Sequence, residues 1–302
     1  MHLTPNEQFI LSILFRYRGS IQSYITKFLY KKNDITYSNE KYVYGLLSKL
    51  RKKSLVTYKT VRYLDKELFL YYLTPRGLEY IKGLLDIDVG VNGTGTLPHH
   101  DETTYWDIPY EFYKPPLKQV DHFLMTQEAY QQIETEHKLI MNYGVTYKTS
   151  HYSSISFTYK GEKLKLRPDS MIYIGRKPIA LEVDRSTEWS KQLIDKFIRY
   201  KNYFNYCVER NLPLPFDSIL FVAQSGLPPR AYKRRWATIR SAFKEVFGDD
   251  YNEVNLMLYP VDCIKELPLQ FEIETYYKNR ALASNNTEEV IVTYYKTGVD
   301  IK

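Results

Sequence analysis

Residues 164–185 read LKLRPDSMIYIGRKPIALEVDR, two runs rich in apolar and β-forming residues. The pattern predicts two strands, Leu164 to Ile174 and Pro178 to Val183. Pro168 lies within the first strand, where a proline indicates an edge, an end or a bulge of a sheet. We expect the two strands to be neighbours in one sheet.

Acidic residues concentrate on these two strands. Glu182 and Asp184 are two positions apart, so they share one face of a strand, and Asp169 lies on the neighbouring strand. Clustered carboxylates repel one another unless a cation neutralises them, and carboxylate oxygens suit Mg²⁺ or Mn²⁺. We therefore predict Asp169, Glu182 and Asp184 as ligands of a divalent metal. An acidic pair at a strand end is also often salt-bridged, with Arg167 and Arg185 as available partners, and this alternative stays open.

Helices and strands alternate around this pair. The predicted elements are a helix over Leu117 to His137, a strand over Ser154 to Tyr159, the two strands above, a helix over Trp189 to Val208, a strand over Ser218 to Ala223, a helix over Arg230 to Phe247 and a strand over Val254 to Tyr259. This αβββαβ order, extended by αβ, predicts an α/β (α+β) sandwich around a short mixed sheet.

The first 85 residues have a different pattern. They predict a helix over Pro5 to Phe15, a second over Ile21 to Tyr30, a third capped by Ser38, two strands over Leu55 to Val61 and Leu68 to Leu73, and a final helix from Pro75 to Leu84. Three helices followed by a β-hairpin are typical of a winged helix-turn-helix domain, whose third helix enters the major groove of DNA.

The charge distribution supports a polyanion partner for this region. Residues 1–85 carry 15 Lys and Arg against 6 Asp and Glu, a net charge of +9, whereas the remaining 217 residues carry −2. The candidate DNA-binding residues on the third helix and the hairpin are Asn39, Lys41, Tyr42, Lys49, Arg51, Lys52, Lys59 and Arg62. The lysines and arginines suit phosphates, and Asn39 and Tyr42 suit base edges. A protein-interaction module or a merely solvated basic surface is the alternative.

Basic residues also cluster on the helix after the fourth predicted strand. They are Arg230, Lys233, Arg234, Arg235, Arg240 and Lys244. A DNA backbone and a solvated helix face explain this cluster equally well.

Composition excludes several classes of protein. Cys207 and Cys263 are the only cysteines, too few for a disulfide framework or a zinc site. No apolar run approaches the roughly 18 residues of a membrane span, and the start lacks a secretory signal, so we expect a cytoplasmic protein without membrane contact. The six histidines show no clustering of the kind that a tyrosine relaxase needs to hold its metal.

One further stretch carries a family resemblance. Residues 181–188, LEVDRSTE, are followed on the next helix by Lys196 and Tyr200. With residues 72–77, YLTPRG, and the helix containing His122, these features resemble the replication-relaxation family of plasmids and other mobile elements. The Asp169 and Glu182-Val183-Asp184 spacing resembles the PD-(D/E)XK nuclease core.

The element order predicts a winged-helix domain over residues 1–85, and the aperiodic Gly-, Asn- and Thr-containing residues 86–104 predict a flexible linker. A nuclease-like domain over 105–264 and an extension over 265–302 follow, as the resemblance implies. The resemblance also implies an Mg²⁺- or Mn²⁺-dependent DNA endonuclease or nickase acting in plasmid or mobile-element replication. The nuclease pattern expects lysine at position 184, so Lys196, or failing that Lys191, would take its catalytic role.

The expected partner is double-stranded DNA, with replication or mobilisation proteins and a second copy of the chain as further options. A non-catalytic replication initiator or transcriptional regulator, with the nuclease fold as a scaffold, is the alternative function.

Overall fold

The computed structural model describes residues 2–32, 34–84, 110–136, 145–149, 154–174, 177–185, 189–212, 214, 216, 218–224, 228–248 and 254–261. The chain divides into two units, Met1–Glu136 and His137–Lys302. The predicted linker over 86–104 and the predicted extension over 265–302 lie outside the described residues.

The first unit begins with helices and a small antiparallel sheet. Its elements are α1 (Pro5–Tyr17), β1 (Ser20–Ile21), α2 (Gln22–Tyr30), α3 (Tyr37–Lys52), β2 (Val56–Tyr63), β3 (Lys66–Leu73) and α4 (Pro75–Leu84). The sheet has the order β1-β3-β2, and both pairings are antiparallel. The three predicted helices, the hairpin and the final helix are therefore present.

Two local details differ from the prediction. Strand β1 was not predicted, because two residues are too few to show a period. Helix α3 begins two residues earlier than a Ser38 cap implies. Thr36 is its N-cap, and the Thr36 side chain accepts a hydrogen bond from the Asn39 backbone N–H at 3.3 Å.

The helix predicted over Leu117 to His137 belongs to the first unit, although the sequence grouped it with the second domain. The segment contains α5 (Tyr110–Tyr113), a 3₁₀ turn (Leu117–Gln119) and α6 (Val120–Glu136). Glu128 of α6 accepts hydrogen bonds from the hydroxyls of Tyr24 at 3.1 Å and Tyr63 at 3.4 Å. Helical periodicity predicts that a face is buried, but it does not identify the surface that covers this face.

The second unit is built around a five-stranded mixed sheet. Its described elements are β4 (Val145–Thr149), β5 (Ile155–Tyr159), β6 (Glu162–Leu166), β7 (Ser170–Ile174), β8 (Lys177–Asp184), α7 (Ser190–Glu209), β9 (Ser218–Ala223), α8 (Pro229–Phe247) and β10 (Asn255–Pro260). The strand order is β10-β9-β8-β7-β4. Strands β4, β7 and β8 pair antiparallel, and β8, β9 and β10 pair parallel. Strands β5 and β6 form a separate hairpin.

The single strand predicted over Leu164 to Ile174 is wrong. The chain leaves β6 at Leu166 and enters β7 of the larger sheet at Ser170. Pro168 lies in this break. Proline has no backbone N–H to donate to a neighbouring strand, so this position between two strands suits it. Asp169 therefore immediately precedes β7, and the register Ser170↔Leu181 brings it beside the end of β8. Strand β4 was not predicted.

Aromatic side chains fill the core between the sheet and helices α7 and α8. Phe197 of α7 contacts the rings of Phe221 on β9 and of Phe243 and Phe247 on α8. Phe197 and Phe221 are fully buried. This packing fixes α7 and α8 on the sheet face that also carries the even-numbered side chains of β8.

We expect the first unit to lose stability in acid through Glu7. Burial raises the pKa of this carboxyl. Hydrogen bonds from Thr4 and Lys53, together with the charge of Lys53, lower it by more, so the net pKa lies below 4.5. The ionised form is favoured by folding, so its contribution is complete above pH 4.5 and is lost as the pH falls through the lowered pKa. Glu7→Gln should lower the free energy of unfolding at pH 7 by about 1 kcal/mol.

Urea denaturation from pH 7 to pH 3 measures this effect. The difference between the wild-type protein and Glu7→Gln should shrink in acid. The exposed Glu67→Gln on the hairpin is the matched control and should behave as wild type at every pH. A difference that stays constant with pH would contradict the assignment.

Candidate active site and nucleic-acid interface

Glu182 on β8 is held by two side chains from one face of helix α7. The Lys196 ammonium donates to Oε2 at 2.9 Å, and the Tyr200 hydroxyl donates to Oε1 at 2.5 Å. Lys196 and Tyr200 are one helical turn apart and therefore point the same way. Glu182 is 2% exposed and Tyr200 is fully buried, whereas Lys196 is 21% exposed. The lysine is thus the one of these three that reaches solvent.

The surroundings of Glu182 have opposing effects on its pKa. Burial raises its pKa to about 7, against the opposing effects of the Lys196 charge and the Tyr200 hydrogen bond, and the Asp169 carboxylate adds to the rise. Asp169 lies close enough to repel Glu182, and its Oδ2 accepts a hydrogen bond from the Val183 backbone N–H at 2.9 Å. The structure therefore brings together Asp169, Glu182 and Lys196, three of the four predicted catalytic residues.

Asp184, the fourth, is bound by an arginine. Arg235 of α8 donates to its two oxygens at 2.7 and 2.8 Å, in a bidentate pair that is almost completely buried. Arg235 was predicted to lie on a DNA-binding or solvated helix face, and it is instead buried against Asp184. Within the described ranges, no three His, Cys, Asp or Glu residues are grouped so that they could hold a metal ion.

The donor set that remains fits Mg²⁺ better than a metal that requires a closed protein cage. Mg²⁺ in proteins is usually bound by one or two carboxylates, with water and substrate phosphate completing its octahedron. Asp169 and Glu182 supply two carboxylates, and each carboxylate oxygen of Glu182 keeps a lone pair beyond its one hydrogen bond. Their mutual repulsion is the electrostatic condition that a bound cation relieves.

Arg235 carried a detectable sequence pattern that the interpretation missed. The buried positions of α8 include Tyr232, Trp236, Ile239 and Phe243, with helical spacing, and Arg235 falls on the same face. An arginine in an apolar helical stripe indicates a buried anionic partner. The identity of that partner depends on the pairing of β8 with β9 and could not be inferred from α8.

The predicted DNA-binding residues of the first unit divide into two groups. Lys41, Lys49, Lys52 and Lys59 are exposed, and the structure records no ion pair for them among its described residues. The other four have contacts within the unit. Asn39 Oδ1 accepts from the Thr36 hydroxyl at 2.8 Å, Tyr42 accepts from Asn6 at 3.0 Å, Arg51 stacks over Tyr58, and Arg62 pairs with Asp65 at 3.1 Å.

The contact of Asn39 changes its expected role. Its side-chain oxygen completes the capping box of α3, so this residue holds the start of the helix. Tyr42 is 46% exposed and so remains accessible to a partner.

Breaking the Asp184–Arg235 pair should strongly destabilise the second unit. Arg235→Met leaves the buried Asp184 charge unpaired, and we expect the free energy of unfolding to fall by about 3–5 kcal/mol. Adding Asp184→Asn to this variant should recover much of the loss. Urea denaturation measures both. The exposed Arg234→Met is the control, and an equal loss there would contradict a specific role for Arg235.

A protein-family model described as replication-relaxation matches residues 16–212. No curated protein matches the chain. Among solved structures, a restriction endonuclease FokI structure aligns with 12% identity and a TM-score of 0.28, over 94% of this chain and 73% of that one. Of the helices that the structure describes, none has the length and apolar character to cross a membrane.

Proposed function

Because the chain belongs to the replication-relaxation family, we propose that it binds DNA during replication or DNA relaxation and cleaves or nicks it with the help of Mg²⁺ or Mn²⁺. The observation that carries this proposal is the contact of 2.9 Å between the Lys196 ammonium and Glu182, beside Asp169. An acidic pair can hold a divalent ion that activates water, and an adjacent lysine can stabilise the charge that develops on a phosphate, so this combination suits phosphodiester hydrolysis.

The first unit is proposed to be a winged-helix domain. Its order is helix, short strand, two helices and a hairpin, and the short strand pairs with β3 of the hairpin. In such a domain α3 enters the major groove and the β2–β3 hairpin lies against the backbone. The exposed lysines of α3 and of β2 suit these two positions.

The second unit is proposed to be a divergent PD-(D/E)XK domain. Asp169 immediately precedes β7, Glu182 lies on the adjacent antiparallel β8, and Lys196 comes from the following helix. Lys196 then takes the catalytic role of the lysine that this pattern expects at position 184. Asp184, paired with Arg235, holds α8 on the sheet.

Each of these residues has a proposed role. Asp169 and Glu182 would hold the divalent ion, which when bound supplies an activated water and charge neutralisation at a phosphate. Tyr200 fixes the orientation of Glu182 through its hydrogen bond. Lys196 reaches solvent and stabilises the negative charge that develops on the phosphate being cleaved.

Cleavage of supercoiled plasmid in Mg²⁺ or Mn²⁺ tests this function. We expect the wild-type protein to nick the plasmid, and Asp169→Asn, Glu182→Gln and Lys196→Met each to reduce the rate by about 100-fold or more. Their thermal melting should remain cooperative, which separates lost chemistry from lost folding.

Lys191→Met is the matched control, because Lys191 is an exposed lysine of the same helix. It should nick as wild type. Wild-type nicking no faster than that of Asp169→Asn would reject the enzymatic proposal. A loss confined to Lys191→Met would move the catalytic role to that residue.

A second function is favoured by one observation, the bidentate capture of Asp184 by Arg235. It removes one of the three predicted ligands, as expected for a nuclease fold that has become a scaffold. The protein would then be a non-catalytic replication initiator or regulator, with replication or mobilisation proteins, or a second copy, as partners. Specific duplex binding that persists in EDTA without any cleavage would favour this function.

Binding of the first unit to DNA should depend steeply on salt. The slope of log affinity against log salt concentration is negative, and the double variant Lys49→Ala/Lys52→Ala should make it shallower by about 2, because each lysine neutralises one phosphate. Fluorescence anisotropy of a labelled duplex measures this slope. Lys163→Ala on the β5–β6 hairpin removes an exposed charge from the other unit and should leave the slope unchanged. An unchanged slope in the double variant would place DNA elsewhere.

A further inference from the structure

Helix α3 has a glycine in its middle that nothing in the described chain explains. Gly45 is the ninth of sixteen residues in α3, and a Cβ added there would meet no described atom within 4 Å. Glycine in a helix interior is less stable than alanine, because it loses more backbone freedom on folding.

Gly77 provides the contrast within the same unit. A Cβ at Gly77 would lie 1.9 Å from the Leu55 carbonyl oxygen, so the packing of α4 requires glycine at that position. For Gly45, no residue in the described part of the chain supplies such a reason. The face of α3 that carries this glycine is therefore open to a partner.

The neighbours of Gly45 on the helix surface identify the kind of partner. Residues three and four positions away are Lys41, Tyr42, Ser48 and Lys49. Both lysines are exposed, and they lie one turn before and one turn after the glycine. A surface that places two cations around a bare stretch of backbone complements a polyanion.

The width of the DNA major groove explains why a glycine on this face of α3 would favour binding. A helix with its side chains is about 10–12 Å across, and the major groove is about 12 Å wide. A side chain missing from the groove-facing side lets the helix axis move closer to the base edges, with Lys41 and Lys49 placed to reach phosphates on either side.

We propose that Gly45 is the point of closest approach between α3 and double-stranded DNA, and that its missing side chain sets the depth to which the helix enters the major groove. This inference rests on the proposed DNA-binding function of the first unit. It adds a position that contributes to binding through the absence of a side chain.

The test exploits opposite effects on stability and on binding. Gly45→Ala should raise the melting temperature of the free full-length protein by about 2–4 °C, because alanine favours the helix. The same change should weaken binding to duplex DNA by about fivefold or more, and Gly45→Leu should weaken it further, because a larger side chain holds the helix out of the groove.

The probe is a fluorescein-labelled pool of randomised 30-bp duplexes, used directly and after enrichment by the wild-type protein. Gly83→Ala is the matched control, because Gly83 is an exposed helical glycine whose added Cβ also meets no described atom within 4 Å. It should not weaken binding. Any rise in its melting temperature then shows that added helix stability alone does not reduce affinity.

The outcomes separate this inference from the function on which it rests. If Lys49→Ala/Lys52→Ala weakens binding but Gly45→Ala and Gly45→Leu bind as wild type, the close approach is wrong and DNA binding stands. If the wild-type protein binds neither pool at low salt, both are wrong. Loss of binding to a protein partner with unchanged DNA affinity would assign the glycine to a helix–helix contact and overturn the inference.

Discussion

The second unit depends on how two buried negative charges of strand β8 are neutralised. Glu182 and Asp184 point from the strand into a region filled mostly by aromatic side chains, where an unpaired carboxylate is costly. Each takes its cation from a different helix, Lys196 from α7 and Arg235 from α8. Since breaking either pair leaves a buried carboxyl group without its cation, the two pairs restrict how both helices can sit on the sheet. The geometry of the candidate site thus follows from the charge balance of one strand.

The two pairs differ in the number of their hydrogen bonds and in the exposure of the cation. Arg235 binds Asp184 through two hydrogen bonds and is itself almost completely buried, so this pair has little freedom to exchange partners. Lys196 binds Glu182 through one hydrogen bond and remains partly exposed, beside a second carboxylate that raises the pKa of Glu182. The metal ion and phosphate of the proposed function would require a pair of the second kind. The first kind is suited to holding α8 in place.

Much of this arrangement was predictable from local patterns. Alternation along β8 placed Glu182 and Asp184 on one face, and helical spacing placed Lys196 and Tyr200 together on α7. The capped start of α1 and the helix opening at Pro75 were equally local. The prediction of one strand across Pro168 was wrong, because β-rich residues on either side of the proline belong to different sheets. Helix α6 was grouped with the wrong unit for a similar reason, since its burial pattern does not identify the surface that buries it.

The sequence by itself determined the helices and most of the strands, the basic character of the first 85 residues, and the acids and lysine of the candidate site, because these depend on residue type and on periods of 2 and 3.6. Only the tertiary structure decided which charges meet. Arg235 lies 51 positions beyond Asp184, and the Asn39 side chain bonds Thr36 at the start of α3. Such pairings arise from strand order and helix packing, and a buried charge selects the cation that packing brings within reach. The candidate site residues are therefore recognisable in the sequence, but their partners are set only by the folded structure.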